Sequence, residues 1–244
     1  MVSALSFVLY MNKMRDYAKM VYPRSWTRGQ AQLKSEYVKL IQPQEYDPYE
    51  YGNLLWDFTA IQKPSDVAGF VSHYGLLYHT EGMEKVSDFL QEASAIRLLG
   101  NLVIFVRNED TKALWEVWDI SGFQSLFEAP PKTDDELLAQ ASALVAFTIN
   151  ERLEGVQHGL IAKCTLEAAD GTPGQPGTFL WVAYPDNLLQ YIYYHFAMTI
   201  SNKVPLATCP ECGKVFVPEH GHQQFCSSRC AGRARIKRFR AKST

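Results

Sequence analysis

Long hydrophobic runs are missing from this sequence of 244 residues. The most apolar stretch, residues 98–106, contains Gly100 and Asn101 and is far shorter than the roughly 20 apolar residues that a membrane-spanning helix needs. Residues 1–20 have no basic residue before their apolar stretch and no clear small-residue cleavage site, so they do not resemble a signal peptide. We therefore expect a cytoplasmic protein that has no membrane partner.

Motifs with a known catalytic mechanism are also absent. The sequence has no glycine-rich phosphate loop, no nucleophile elbow and no H-E-x-x-H pair. Its isolated histidines, such as His158 and His195, are interpreted as structural residues, because a general base needs a positioned partner. We therefore predict no catalytic residues and no enzymatic activity. An enzyme whose C-terminal region serves as a targeting module is kept as the third hypothesis.

Cysteine is nearly absent from the first 202 residues, where Cys164 stands alone. We expect Cys164 to be a small core residue. This excludes a disulfide framework, which would spread its cysteines along the chain. The other four cysteines have the spacing C-x2-C-x13-C-x3-C, which is typical of a metal site. They are Cys209, Cys212, Cys226 and Cys230. Four thiolates complete the tetrahedral shell of zinc, so we predict one structural Zn²⁺ and rank His220 and His222 as non-ligands.

The residues around these cysteines predict a treble-clef arrangement. CPECGK forms a tight turn that brings two sulfurs together, and KVFVPEHGHQQF is expected to form a short hairpin with Phe216 and Phe225 beside the metal. The second pair, Cys226 and Cys230, is four residues apart and would share one face of a helix's first turn.

Charge is distributed unevenly along the chain. Residues 1–202 carry a net charge of −9, whereas residues 203–244 carry +7. The segment AGRARIKRFRAK has no acidic residue, and as a helix it would group its cations on two faces beside an apolar ridge of Ile236 and Phe239. Phosphates would relieve the repulsion between these cations, so we predict that they bind nucleic acid, with duplex DNA preferred because its major groove admits a helix. The predicted contacts are Arg229, Arg233, Arg235, Lys237, Arg238, Arg240 and Lys242.

The segment CPECGKVFVPEHGHQQFCSSRCAGRARIKRFR resembles the C-terminal finger of the CGNR zinc-finger proteins. The resemblance rests on the four cysteines, the C-P-x-C-G-K-x-F-x-P start and the Arg-rich end, and it covers about the last 40 residues. Cys230 is followed by Ala-Gly-Arg, where that family has Gly-Asn-Arg. The resemblance implies DNA-binding transcription regulation by a bacterial protein with an N-terminal sensory-type domain.

The remaining residues, 1–202, predict an acidic, mostly helical α+β body, with 203–244 as a separate finger. Helices are expected over 64–73, from Gly82 towards Trp118 with a break at Gly100-Asn101, and over 134–154 behind a Thr133/Glu136 capping box. A loop is expected over 119–132, an antiparallel hairpin from 155–168 and 178–184, and a strand within 36–42. A last body helix is expected over 188–200 with Asp186 as its N-cap.

An aromatic cluster lies near the end of the body. Its members are Trp181, Tyr184, Tyr191, Tyr193, Tyr194 and Phe196. Helical spacing favours a plain core for this cluster, and a ligand pocket is the alternative.

Two functional hypotheses follow. The first is a zinc-dependent regulator that binds nucleic acid and whose body dimerises with a second copy or senses a small-molecule effector. The second is an adaptor whose finger docks an acidic protein, or the protein's own acidic body.

Overall fold

The computed structural model describes residues 26–46, 52–78, 82–121, 123–162 and 179–242. Within these ranges the chain has the mostly helical α+β class that the sequence predicts, with three small antiparallel sheets. The strands are β1 (Trp26–Lys34), β2 (Tyr37–Tyr46), β3 (Met83–Lys85), β4 (Gln157–Ala162), β5 (Phe179–Tyr184), β6 (Ala207–Thr208) and β7 (Val215–Phe216). The helices are α1 (Leu54–Thr59), α2 (Pro64–Tyr74), α3 (Val86–Arg107), α4 (Thr111–Ser121), α5 (Asp134–Arg152), α6 (Leu188–Ser201) and α7 (Ser228–Lys242), with a 3-10 helix at Phe123–Leu126.

The first sheet has the order β1-β2-β3, and both of its pairings are antiparallel. The strand expected within 36–42 is confirmed and is longer than expected, because β2 runs to Tyr46. Alternation along β2 places Val38 and Leu40 in the core, where α2 covers β1. The Ser72 hydroxyl accepts a hydrogen bond from the Ala31 N–H at 3.0 Å and helps to hold that packing.

Helix α3 is the central helix of the body. It has 22 residues, and its most apolar window has a mean hydropathy of 1.4. By length and composition alone it is long and apolar enough to cross a membrane, whereas the sequence analysis found no apolar stretch longer than nine residues. In the structure, Phe89, Ala93, Ile96 and Leu102 are fully buried against the other body helices. These contacts are those of a core helix.

The expected helical stretch from Gly82 to Trp118 is broken at a different place. Residues 83–85 form β3, and the interruption lies at Asn108–Asp110 between α3 and α4, whereas Gly100 lies inside α3. Backbone N–H groups of Asn108 and Asp110 bond back to Ile104 and Phe105 and close the end of α3. The loop expected over 119–132 begins later, because α4 continues to Ser121 and a 3-10 helix follows.

Two helix starts test the expected caps. The Thr133 hydroxyl accepts a hydrogen bond from the Glu136 N–H at 3.2 Å, as predicted, although the Glu136 carboxylate bonds the N–H of Lys132. The Asp186 N-cap is wrong. The N-cap of α6 is Asn187, whose side-chain oxygen accepts from the Gln190 N–H at 2.9 Å.

The predicted hairpin is confirmed where it is described, since β4 and β5 pair from Gln157↔Tyr184 to Ala162↔Phe179. Its turn and Cys164 lie outside the described residues, as does the Trp181 side chain. Tyr191, Tyr193 and Phe196 are each about 1% exposed or less, so these members of the aromatic cluster belong to the core, as helical spacing favours. Tyr193 donates its hydroxyl to the buried Glu92 at 2.8 Å.

The C-terminal segment packs against the body through β7. Val215 is 1% exposed and lies over Gly100 of α3, where an added Cβ would be 2.9 Å from Val215 Cγ2. The Thr59 hydroxyl, which donates to the Trp56 carbonyl at 2.9 Å, also lies 3.3 Å from the Val215 carbonyl. The Thr208 hydroxyl bonds the Asn101 side chain at 2.6 Å. The glycine that the sequence suggests as a helix break is therefore the place where the finger contacts the central helix.

Replacing Gly100 with alanine tests this contact. We expect Gly100→Ala to destabilise the zinc-loaded protein. The added methyl group would crowd Val215, at a free-energy cost of about 1–3 kcal/mol, whereas the higher helix propensity of alanine contributes about 1 kcal/mol. In a Val215→Ala background, where the crowded methyl groups are gone, the same substitution is expected to stabilise the protein. Urea unfolding of the four proteins measures the coupling, and strictly additive changes would contradict the proposed contact.

Candidate zinc centre and nucleic-acid interface

The first cysteine pair lies in a knuckle between β6 and β7. The Cys209 N–H donates to the Lys214 carbonyl at 2.9 Å, and the Gly213 N–H donates back to the Cys209 carbonyl at 2.8 Å. Gly213 has φ = 68°, a left-handed conformation that glycine adopts without strain. This turn brings the sulfurs of Cys209 and Cys212 to the same side of the knuckle. The finger's hairpin is thus formed by the strands that flank CPECGK, whereas the sequence placed it within KVFVPEHGHQQF.

The second pair lies at the start of α7. Cys226 precedes the helix, which begins at Ser228, and Cys230 is in its first turn. The expectation that both thiols share the helix's first turn is therefore correct for Cys230 and wrong for Cys226. The Ser227 hydroxyl accepts from the Cys230 N–H at 3.3 Å and satisfies one of the free N–H groups at the helix start.

The four sulfurs converge on one point, with all Sγ atoms within 4.8 Å of one another. Cys212 Sγ is 3.5 Å from Cys226 Sγ, which in turn is 3.7 Å from Cys230 Sγ. A regular tetrahedron with Zn–S bonds of about 2.3 Å has sulfurs about 3.8 Å apart, so the donor set and its spacing fit zinc. The protein has one structural Zn²⁺ site made of the four predicted cysteines, and His220 and His222 are not part of the cluster.

The acidity of these thiols indicates why a cation is needed. Burial raises the pKa of Cys212 and Cys226, and for Cys226 the neighbouring sulfurs add to the increase. Burial also opposes ionisation of Cys209, but backbone N–H groups, including those of Cys226 and Glu211, lower its pKa to about 7. Four thiolates this close repel one another, and a bound zinc ion supplies the charge that holds them together.

A small apolar cluster surrounds the site. Cys209 and Cys230 are 1% and 6% exposed and pack with Phe216, and Phe225 lies against the same cluster. Both phenylalanines thus occupy the predicted positions beside the metal. The cluster is too small to hold the finger by itself, so zinc contributes the larger part of its stability.

Helix α7 is tied to the knuckle by an ion pair. Lys237 Nζ lies 2.9 Å from Glu211 Oε1, and the Glu211 side chain is only 9% exposed although that of Lys237 is 71% exposed. Glu211 lies between the two cysteines of CPEC, so the pair fixes the direction of the helix relative to the zinc site. Sequence reasoning missed this contact, because it assigned Lys237 to phosphate.

The predicted nucleic-acid contacts are all in α7, and six of their side chains are described. Arg229, Arg233, Arg235, Lys237, Arg238 and Arg240 are exposed, whereas the Lys242 side chain lies outside the described residues. The apolar ridge is also at the surface, with Ile236 and Phe239 53% and 72% exposed. If the helix docked on the protein's own body, we would expect this ridge to be buried there. In the described residues the ridge is not buried against the body.

A protein-family model matches this part of the chain. Residues 206–243 match the model of the CGNR zinc finger. The matched range begins just before β6 and ends just after α7, and it contains the four cysteines and all seven predicted contacts. The predicted resemblance of the C-terminal finger is therefore confirmed. No curated protein matches the chain.

The histidine of α6 behaves as a structural residue. The ring of His195 lies 4.3 Å from that of Tyr191, and burial lowers its pKa to about 4. It is therefore neutral at pH 7, whereas an unfolded chain has a histidine pKa of about 6.5. Between pH 4 and about pH 6.5 the imidazole is protonated in the unfolded chain but not in the folded one. The stability that His195 contributes is therefore present above about pH 6.5 and is lost as the pH falls towards 4.

Removal of this histidine is expected to flatten the pH dependence of stability. His195→Gln loses packing at pH 7.5, but the free-energy difference between variant and wild type is expected to shrink by about 1 kcal/mol between pH 7.5 and 5.5. Urea unfolding at each pH measures it, with the exposed His73→Gln as the control. Comparison at equal pH removes the effect of zinc loss, which is common to both proteins. A constant difference would contradict the lowered pKa.

Proposed function

We propose that the protein is a zinc-dependent nucleic-acid-binding protein of the cytoplasm, and specifically a bacterial transcription regulator that binds duplex DNA. The observation that carries this proposal is helix α7, which presents exposed cations without any acidic residue and is anchored at a metal site. Basic charge along one rigid helix is the electrostatic footprint of a nucleic-acid binder. The match of residues 206–243 to a zinc-finger family supports the same function.

The rigidity of α7 favours binding over a merely solvated tail. Its start is fixed by Cys230 at the zinc site, and its middle is held by the Glu211–Lys237 pair. A helix of 15 residues is about 22 Å long, which suits the major groove of duplex DNA. Since the helix is already ordered, binding does not have to offset the entropy of folding it.

The alternative is an adaptor that uses the same basic helix to dock an acidic protein. Exposure of Ile236 and Phe239 beside the cations favours this candidate, because apolar side chains contribute little to phosphate contacts. The two functions differ in their dependence on salt and on apolar residues. Phosphate binding weakens steeply with salt, whereas a protein interface centred on Phe239 retains affinity at high salt.

Fluorescence anisotropy of the zinc-loaded protein with random duplex DNA, single-stranded DNA and RNA, each over a range of salt concentrations, tests the proposal. We expect binding to duplex DNA with a steep salt dependence. An acidic peptide that also carries leucine side chains, titrated in the same assay over the same salt range, tests the adaptor alternative. Binding of the peptide without binding of any nucleic acid at low salt would overturn the nucleic-acid proposal.

For the body we propose a regulatory role without catalysis. An apolar groove of about 340 Å³ lies between α3, α5 and α6, a size typical of small-molecule sites. Arg107 lies at its edge and donates to the carbonyls of Ile200 and Val204, at 2.8 and 2.7 Å, where the chain leaves the body for the finger. This groove is the proposed place for the small-molecule effector, and dimerisation with a second copy stays a prediction.

A further inference from the structure

The apolar ridge of α7 is exposed along its length. Ile236 and Phe239 are three residues apart, so they share one face of the helix, and their side chains are 53% and 72% exposed. Gly232 lies on the same face one turn before Ile236, and an added Cβ there would meet nothing within 4 Å. The described residues of the body and of the finger therefore leave this face open to a partner.

The ridge faces away from the zinc centre. Cys230 is a zinc ligand and is buried, and Ala234, one turn later, is half-buried. With 3.6 residues per turn, these two residues lie about 150–170° around the helix axis from the middle of the ridge. One side of α7 is thus held by the zinc centre, and the opposite side projects the ridge outward.

Arginines border the ridge on both edges. Helical periodicity places Arg229, Arg233 and Arg240 along the edge beside Ile236, and Arg235 and Arg238 along the edge beside Phe239. All five side chains are exposed. The outward face of α7 therefore has an apolar centre between two cationic edges.

The charge around the ridge stays positive when the metal is bound. Residues 203–244 carry a net charge of +7, and Zn²⁺ with four thiolates changes this by only −2. Helix α7 contains no acidic residue, and the ion pair of Lys237 with Glu211 lies on the side towards the zinc knuckle. A partner that fits this face must have negative charge at its two edges and an apolar group between them.

The major groove of duplex DNA has this combination. It is about 12 Å wide, lies between two phosphate backbones and admits an α-helix, whose diameter is about 10–12 Å. The edges of the bases on its floor are polar, except that thymine presents a C5-methyl group. If the two cationic edges of α7 face the two backbones, the ridge lies between them on the floor of the groove.

We propose that Ile236 and Phe239 contact thymine methyl groups in the major groove, so that α7 prefers sites that contain thymine. The inference rests on the proposed function, and it adds a means of distinguishing sequences, which phosphate contacts do not supply. Apolar side chains contribute little to phosphate contacts, but they suit the thymine methyl group. Burial of one methyl group increases the affinity by a factor of about four.

Duplexes that differ only in their methyl groups test the inference. Anisotropy titrations compare random duplex DNA made with thymine, with uracil, and with uracil together with 5-methylcytosine, which returns a methyl group to the major groove on the other pyrimidine. We expect the zinc-loaded wild type to bind the uracil duplex about fourfold more weakly than the thymine duplex, and 5-methylcytosine to restore the affinity. The slope of log K against log salt is expected to be the same for all three, because a methyl contact releases no counterions.

The variant that removes the ridge is Ile236→Ala/Phe239→Ala. It keeps every cation of α7, and alanine favours the helix, so we expect one zinc ion per chain and an unchanged salt slope. This variant is expected to bind the three duplexes with equal affinity. The matched control, Leu126→Ala/Phe147→Ala, removes two body side chains that are 64% and 67% exposed and is expected to keep the wild-type preference.

The outcomes separate this inference from the proposed function. Equal binding of the three duplexes by the wild type would overturn the methyl contact and leave the nucleic-acid function standing, whereas no duplex binding at low salt would overturn both. If the three duplexes bind equally and the leucine-containing acidic peptide binds the wild type but not the ridge variant, the ridge is a protein-docking surface. A ridge variant that keeps the wild-type preference for methylated duplexes would also contradict the inference.

Discussion

Replacement of Cys226 by serine is expected to abolish zinc binding and to unfold the finger. A serine hydroxyl is a poor zinc ligand, and the remaining three thiols are held mainly by the metal itself. In isolated zinc-finger peptides metal binding contributes about 10–16 kcal/mol, which is more than the cluster around Phe216 provides. We expect the zinc content to fall from one ion per chain to none, measured by mass spectrometry of the metal.

The same variant is expected to lose the helical signal of α7 while the body keeps its structure. The body has its own core, in which residues from β1 through α6 pack together, and none of that core requires the metal. Hydrogen exchange followed by mass spectrometry resolves the two regions, with fast exchange expected in 206–242 and protected amides expected in α3. Protection retained throughout 206–242 would mean that the finger folds without zinc.

Histidine variants are the control for the ligand assignment. His220→Gln and His222→Gln remove the two other donors of the finger and are expected to keep one zinc ion per chain, because four sulfurs already complete the shell. Loss of zinc in His222→Gln together with retention in Cys226→Ser would show a Cys₃His site and contradict the geometry.

The zinc ligands were predictable because a metal site of this kind is local in sequence. The spacing of Cys209, Cys212, Cys226 and Cys230 restricts the possible arrangements, and one ion satisfies all four thiolates. The helix from Pro64 and the one from Asp134 were predictable for a similar reason, since their starts carry local signals in Pro64 and in Thr133 with Glu136. The capping residue of α6 was misplaced by one position, as helix ends commonly are.

The contacts between distant segments were not predictable from the same patterns. Gly100 predicts a helix break, yet it lies inside α3. A side chain would not fit there, because Val215, more than 100 residues later in the chain, occupies the space. Lys237 reads as a phosphate ligand, yet its neighbour is Glu211 across the finger. Strand β1 was not predictable, because its sequence WTRGQAQLK has little alternation of apolar and polar residues. It is held to β2 by backbone hydrogen bonds, which any sequence can form.

Removal of positive charge from the outer part of α7 is expected to weaken the binding of duplex DNA strongly. Arg235 and Arg238 are exposed and are not zinc ligands, so their substitution leaves the metal site intact. If each contacts one phosphate, Arg235→Gln/Arg238→Gln lowers the slope of log K against log salt by about 1.8. Extrapolated from 1 M salt, where this contribution vanishes, the loss of affinity for random duplex DNA is about 30-fold at 0.15 M salt.

The control for this variant removes the same charge from the body. Lys112→Gln/Lys132→Gln changes two exposed lysines far along the chain from α7 and is expected to leave the slope unchanged. Anisotropy titrations at four or more salt concentrations give slope and affinity together, and zinc content is checked in each protein. A lowered affinity with an unchanged slope would indicate a helix that has lost its shape, because lost phosphate contacts must lower both quantities. An unchanged slope and affinity would exclude this face of α7 from the interface and leave Arg229, Arg233 and Arg240 as the predicted phosphate contacts.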